Sequence, residues 1–235
     1  MSKRAIILAG GKGTRLKPYT IALPKPLVPI GDEPILEIII KQLVANGFDY
    51  ITITVNHLAD IIKAFFGNGE KWGIKIDYSL ESKPLSTMGP LSLIHNLPDD
   101  FLIMNGDVLS NINYSEFMSY HKKNNNVFTV SSFKRLQKSD YGVLEIGNDK
   151  ELTGFKEKPV IEYDVSMGIY AANKKILDYI PHNQTYGFDD LMLDLIANNN
   201  PAHVLRHNGY WLDIGRPDDY AKAIEDIAFI LDGAK

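Results

Sequence analysis

Apolar residues follow two rhythms along this chain. Short runs rich in β-branched residues, AIILA (5–9), YITITV (50–55), IKIDYSL (74–80) and FLIMNGD (101–107), read as strands, the first buried on both faces. Between them apolar positions recur every three or four residues in PILEIIIKQLVANGF (34–48), LADIIKAFF (58–66), GPLSLIHNL (89–97) and NYSEFMSYHKKN (113–124), which read as helical. Pro34 suits a first helical turn and Gly47 a helix stop. Strand and helix alternate, and the pattern predicts an α/β fold with a mostly parallel sheet and right-handed crossovers.

Beyond about residue 125 the rhythm changes. NVFTVSSFK, YGVLEIG, ELTGFKEKP and DVSMGIYAAN are strand-like with short connections, as in an antiparallel or mixed extension. NKKILDYI and FDDLMLDLIANN restore helical spacing, PAHVLR and GYWLDIG are again strand-like, and RPDDYAKAIEDIAFIL (216–231) reads as a last helix. No internal repeat, low-complexity tract or linker composition divides the chain, so one domain over 1–235 is expected.

Composition narrows the class. Apolar residues make up 45% and charged residues 23% of the 235 positions, the balance of a globular protein. A net charge of -4 and a pI near 5.9 provide no global field for nucleic acid. Yet Lys3, Arg4, Lys12, Arg15, Lys17 and Lys25 all precede the first acid, Asp32. A local cationic segment on a mildly acidic chain suits a small anion. The absence of cysteine excludes disulfides, thiolate metal sites and a cysteine nucleophile. No apolar run nears the roughly 18 residues of a membrane span, and no secretory pattern stands at the start. The expected location is the cytoplasm, with no membrane or nucleic-acid partner. His57, His95, His121, His182, His203 and His207 lack metal-ligand spacing and read as structural or surface residues.

LAGGKGTRL (8–16) leaves the first strand through Gly10, Gly11 and Gly13, at the sheet edge where α/β folds bind ligands. Glycines let backbone N–H groups close on phosphate oxygens. The loop is not a P-loop, because Lys12 precedes Gly13 instead of following it. Nor is it a dinucleotide fingerprint, because Leu16 takes the third glycine's place. By itself it also fits a surface turn with solvated lysines. Asp107 in NGDVL and Asp213 in YWLDIG stand at strand ends, where a carboxylate is often only a turn former.

Taken in order, GGKGTRLKPYT, PKPLVPIGDEPILE, PLSTMGPL, NGDVL, YGVLE, EKP, MGIYAAN and YWLDIGRPDDY resemble the signature of the sugar-1-phosphate nucleotidyltransferases, the nucleotide-sugar pyrophosphorylases. The resemblance covers nearly the full chain, and the YWLDIGRPDDY end is most similar to mannose- or heptose-1-phosphate guanylyltransferase-like members. It implies a Rossmann-like nucleotidyltransferase fold: a mixed, mostly parallel sheet flanked by helices, with a small antiparallel extension on the sugar side. About 1–125 would form the nucleotide half and about 126–235 the sugar-phosphate half. It also implies transfer of a nucleotidyl group from an NTP to a sugar 1-phosphate, with release of pyrophosphate and Mg²⁺ as cofactor. The nucleophile is already an anion, so positioning and charge neutralisation carry such a reaction.

Carried over position by position, the resemblance assigns Arg15, Lys25 and Asp107 to catalysis and Asp107 with Asp213 to the metal. It assigns Leu8, Ala9, Gly10, Gly11, Gly13, Thr14, Glu81, Ser86 and Thr87 to the nucleotide. Asn105, Gly142, Glu157, Lys158, Ser166 and Gly168 fall to the sugar phosphate, with Tyr186, Tyr210 and Trp211 as candidate pocket walls. Lys12 and Lys17 read as solvated.

Glu81 stands where relatives place Gln or Glu against the base. An ionised carboxylate only accepts hydrogen bonds, and guanine offers two adjacent donors, so GTP is favoured. The alternatives are a UTP-, dTTP- or CTP-dependent member, or a non-catalytic nucleotide-sugar-binding regulator, although Asp107, Asp213, Arg15 and Lys25 all remain. An NAD-type oxidoreductase would need a ribose-binding acid where Asn56 and His57 stand. Two departures mark this chain: Ser86 and Met88 replace the Gly and Ala of P-L-G-T-A-G, and Ser166 replaces an Asn. Relatives often carry an added β-helical or regulatory domain; here the sequence stops after one helix, so a homodimer through the catalytic domain is expected.

Overall fold

The first predicted strand becomes the middle of the sheet. The computed structural model describes residues 3–11, 13–56 and 58–226. The first half contains β1 (Arg4–Leu8), β2 (Pro29–Ile30), β3 (Glu33–Pro34), α1 (Ile35–Ala45), β4 (Tyr50–Val55), α2 (Ala59–Phe66), β5 (Lys75–Leu80), β6 (Asp100–Asn105), β7 (Val108–Ser110) and α3 (Tyr114–Lys123). The second contains β8 (Phe128–Lys138), β9 (Val143–Ile146), β10 (Leu152–Lys156), β11 (Val160–Asn173), α4 (Phe188–Ala197), β12 (His203–His207), β13 (Trp211–Asp213) and α5 (Pro217–Glu225).

Seven strands pair in the order β12-β8-β11-β6-β1-β4-β5. β1 runs parallel to both neighbours, with Ile6 opposite Thr52 on β4 and Ile103 on β6. β11 is antiparallel to β6 and β8, which makes the sheet mixed but mostly parallel. Alternation along β1 feeds two cores. Ala5 and Ile7 pack with Leu36, Ile62, Phe117 and Ala223 from α1, α2, α3 and α5. Ile6 faces the other way, onto Phe128, Leu191 and Leu195. Burial of each large side chain contributes about 1.5–3 kcal/mol, so a strand apolar on both faces is most stable in the centre.

Punctuation residues act as expected. α1 begins directly after Pro34, and Gly47 follows it at φ 76°, left-handed backbone that glycine adopts without strain. Other expectations fail locally. NKKILDYI and GPLSLIHNL form 3₁₀ turns, Lys174–Asp178 and Gly89–Leu93, where α-helices were expected. In the latter, Pro90 lies in the first turn and the Ser92 hydroxyl donates to the Gly89 carbonyl at 2.7 Å, tightening a piece too short for an α-helix. Two more 3₁₀ turns, Thr14–Leu16 and Lys25–Leu27, interrupt the basic loop in which no helix was expected. The part of the last predicted helix beyond Asp226, and Lys12 and His57, lie outside the described residues.

The antiparallel extension consists of the far ends of β8 and β11 and the separate β9–β10 hairpin. Among the described residues no helix is long and apolar enough to cross a membrane.

Candidate active site

The carboxyl ends of β1, β4 and β6 open on one cleft of about 320 Å³. It gathers Leu8, Ala9, Gly10 and Gly11 from the glycine loop, Lys25, Glu81, Ser86 and Thr87, and Asn105 with Asp107 after β6. Thr54, Pro26, Leu85, Pro90 and Gly106 also line it. Sequence reading assigned none of these five to the site, although Pro26, Leu85, Pro90 and Gly106 stand inside the quoted motifs and Thr54 on the predicted strand YITITV.

The glycines serve different needs. A side chain on Gly10 would put its Cβ 2.5 Å from Glu81 Oε1, so glycine is what lets that carboxylate lie against the loop. Among the described residues nothing beyond its chain neighbours lies within 4 Å of a notional Cβ on Gly11, which leaves room for a ligand to reach the backbone. Gly13 adopts φ 62°, and its carbonyl accepts from the Thr20 hydroxyl at 2.7 Å. Gly13 and exposed Thr14 lie outside the cleft wall.

Lys25 and Asp107 form an ion pair through Asp107 Oδ2. Asp107 Oδ1 is buried with no hydrogen-bond partner among the described residues. Asp213 arrives from far along the chain because β13 pairs antiparallel with β7, setting it opposite Val108. The Ile214 N–H then donates to the Asp107 carbonyl at 3.0 Å. Withdrawal from water and then the Asp107 charge push the Asp213 carboxyl up; Lys25 and Arg15 pull it down, and Asp219 adds a further upward push. Arg15 sits across Gly215 from Asp213: a Cβ on Gly215 would lie 3.9 Å from Arg15 Cζ and 3.7 Å from Asp213 Oδ2. The predicted metal pair and both predicted cations therefore share one neighbourhood.

Glu81 is buried, which pushes its carboxyl up, while a 3.4 Å hydrogen bond from the Leu85 N–H pulls it down. The loop after it is held from behind. Tyr186 donates to the Leu85 carbonyl (3.0 Å) and accepts from Met88 (3.0 Å) and Gly89 (2.9 Å) through the backbone. Thr87 Oγ1 accepts from the Phe188 N–H at 2.8 Å, at the start of α4. Ser86 stands at φ 65°, the conformation for which a glycine is the unstrained choice. Met88 is wholly buried in the second core.

Tyr186 corrects an expectation. It does not wall a sugar pocket but backs the Glu81 loop, buried, with its hydroxyl donating to Asp194 Oδ2 at 2.5 Å. Nor does Tyr210 line the cleft; its carbonyl accepts from the Ser110 hydroxyl at 2.9 Å.

On the other side, Gly168 adopts φ 74°, and a Cβ there would meet Asn105 Nδ2 at 2.6 Å, so Asn105 packs against bare backbone. Ser166 Oγ donates to the Tyr170 hydroxyl (3.1 Å) and accepts from the Gly168 N–H (3.3 Å) where the β11 register shifts. Gly142, Glu157 and Lys158 are exposed around the β9–β10 hairpin and outside the cleft. Gly142 leaves room for the Phe155 ring at 2.6 Å from its notional Cβ.

Two early cations do not belong to the site. Arg4 is buried at the start of β1, donating to Thr52 Oγ1 (2.7 and 3.0 Å) and to the His95 and Asn96 carbonyls (3.1 Å each). Lys3 donates to the Asn46 carbonyl and Ser115 Oγ. Both stand at the opening end of β1, whose far end carries the glycine loop about 16 Å away at roughly 3.3 Å per residue.

A family profile described as nucleotidyl transferase matches residues 4–229, which includes every residue of this cleft. The chain belongs to the nucleotidyl transferase family. It is 32% identical over 95% of its length to a UTP–glucose-1-phosphate uridylyltransferase of Synechocystis. It is 34% identical over 92% of its length to a mannose-1-phosphate guanyltransferase of Gibberella zeae. The chain spans 63% and 62% of those two relatives. Among solved structures, HddC of Yersinia pseudotuberculosis superposes with a TM-score of 0.75 at 28% identity, covering 96% of this chain and 99% of that one. The same protein complexed with GMP-PN superposes with a TM-score of 0.73 at 27% identity, with the same coverage.

In this nucleotidyl transferase a bound cation would engage Asp107 Oδ1, which has no partner among the described residues, and would lower the Asp213 carboxyl that burial and Asp107 push up. Among the described residues no set of three or more His, Asp or Glu side chains forms a self-contained metal cage. Two carboxylates completed by phosphate oxygens and water suit Mg²⁺. The residues fit that ion.

Proposed function

We propose that this nucleotidyl transferase transfers the nucleotidyl group of an NTP, GTP by preference, to a sugar 1-phosphate, forming an NDP-sugar and pyrophosphate. The observation that carries this reading is the β7–β13 pairing, which sets Asp107 and Asp213 side by side with Lys25 and Arg15 near the glycine loop.

An oxygen of the sugar phosphate attacks the α-phosphorus. The bond from that phosphorus to the bridging oxygen breaks, and its electron pair leaves with pyrophosphate. No proton has to move, so no general base is required. Gly11 leaves its backbone bare enough for phosphate to approach. Lys25 and Arg15 supply positive charge where phosphate oxygens crowd. Asp107 and Asp213 would hold Mg²⁺, which when bound neutralises charge on phosphate oxygens. Asn105, held against Gly168, offers its amide to the acceptor. On the base side, Glu81 presents a carboxylate to the cleft, which matches the paired donors of guanine. The GMP-PN complex of HddC supports a guanine nucleotide, while the uridylyltransferase relative makes UTP the second reading.

Release of pyrophosphate, measured with each NTP, Mg²⁺ and a panel of sugar 1-phosphates, tests the reaction. GTP with at least one acceptor should turn over fastest. No release from any pair would refute it, and a preference for UTP would transfer the base reading to the second alternative.

A further inference from the structure

Arg15 and Asp213 also line a second cavity of about 430 Å³, whose other walls come from β8, β13 and α5. Arg135 enters from β8, Arg216 from the N-cap of α5 and Lys222 from its last turn. Four cations here face two carboxylates, Asp213 and Asp219.

The pairing of arginines across the molecule makes this cavity unusual. Arg4 and Arg206 are ion-paired, with Asp77 at 3.6 Å and Asp164 at 2.5 Å. Arg15, Arg135 and Arg216 have no ion-pair partner among the described residues, and all three line this one concavity. Guanidinium groups left free in a hollow match the forked geometry of phosphate and carboxylate. The floor is aromatic. Phe133 and Trp211 lie 5.5 Å apart between ring centroids, and Trp211 Nε1 anchors to the Met167 carbonyl at 2.9 Å. Met167 stands between Ser166 and Gly168, next to the candidate acceptor residues.

Resting on the reaction proposed above, we propose that Arg135, Arg216 and Lys222 form a second anion subsite, which holds a further negatively charged group of the acceptor besides the phosphate that reacts. The acceptor is then a doubly anionic sugar: a bisphosphate, or an acidic sugar bearing a 1-phosphate. Inorganic pyrophosphate is the competing occupant. It would gain nothing from an aromatic floor, which instead covers the apolar face of a sugar ring. Arg135 also sits on β8 opposite Tyr163 of β11, the strand that carries Ser166 and Gly168.

Calorimetric titration of the full chain decides the matter, with hexose 1-phosphate, hexose 1,6-bisphosphate, hexuronic acid 1-phosphate and inorganic pyrophosphate as probes. Wild-type protein should bind one doubly anionic sugar about tenfold or more tightly than hexose 1-phosphate. The bisphosphate and uronate arms tell which group is held. The double variant Arg135→Gln/Arg216→Gln should erase that gain and leave hexose 1-phosphate affinity within about twofold. Equal wild-type affinity for all three sugar phosphates overturns the proposal, as does a loss confined to pyrophosphate. Both arginines are exposed, so the variant should melt as the wild type does; if it does not, Lys222→Gln carries the same comparison. Failure of pyrophosphate release with every NTP and acceptor would sink the reaction itself, while these affinities would still decide the subsite.

Discussion

Lys25 is ion-paired with Asp107 Oδ2, while the second oxygen of the same carboxylate is buried with no partner among the described residues. One oxygen neutralised and one left open is an arrangement prepared for a cation. Asp107→Asn keeps the shape and removes the charge. Turnover should fall about 10²–10³-fold, the scale of losing one charge-stabilising group, with little change in the melting curve. Pyrophosphate release within tenfold of wild type would remove Asp107 from the metal pair.

Asp213 predicts a trade between stability and activity. Its carboxyl is held above the ordinary range by partial withdrawal from water and by Asp107. The folded chain therefore keeps this proton to higher pH than the unfolded chain does. Stability falls as pH rises from the unfolded carboxylate value to the raised folded one, and the loss persists at neutral pH. Asp213→Asn should raise the melting temperature at pH 7 without Mg²⁺ and leave it nearly unchanged near about pH 3.5, below the unfolded value. Pyrophosphate release should fall about hundredfold or more. A lower melting temperature at pH 7 would mean that Asp213 stabilises the fold instead.

Ser86 bears a backbone conformation costing a side chain roughly 1–2 kcal/mol. Glycine would relieve it but lose about 0.5–1 kcal/mol to its freer unfolded chain. Ser86→Gly should therefore stabilise by up to about 1.5 kcal/mol in urea unfolding. A destabilised variant would show that the serine hydroxyl makes up for the backbone.

Gly10 and Glu81 test base reading together. Gly10→Ala would place a methyl 2.5 Å from Glu81 Oε1 and drive the carboxylate aside, at small cost because it is the free end of a side chain. The GTP-over-UTP ratio of kcat/KM should drop by about tenfold, and Glu81→Gln should move it the same way. An unchanged ratio in both variants would leave the base to backbone contacts.

Much of this architecture was legible before any coordinates. AIILA marked a strand buried on both faces because both are apolar, and Pro34 and Gly47 bounded α1 because each restricts or frees one backbone angle. Local chemistry was enough for these. It was not enough for NKKILDYI, whose helical spacing yields only a 3₁₀ turn, nor for Arg4, which was counted in the cationic segment suited to a small anion and is instead buried against Thr52 and two carbonyls. Arg216 was in plain view in GRPDDY, yet nothing in that run tells that Arg135, on a different strand, shares its cavity.

The sequence by itself determined the strand and helix alternation, the glycine loop and the residue types available for phosphate chemistry, since these depend on neighbours a few positions apart. Only the tertiary structure decided that Asp213 meets Asp107, that Gly10 makes way for Glu81, and that three arginines with no ion-pair partner among the described residues face one hollow. Each of these follows from strand pairing or loop packing between distant segments, and local preferences carry no record of which distant segments will meet.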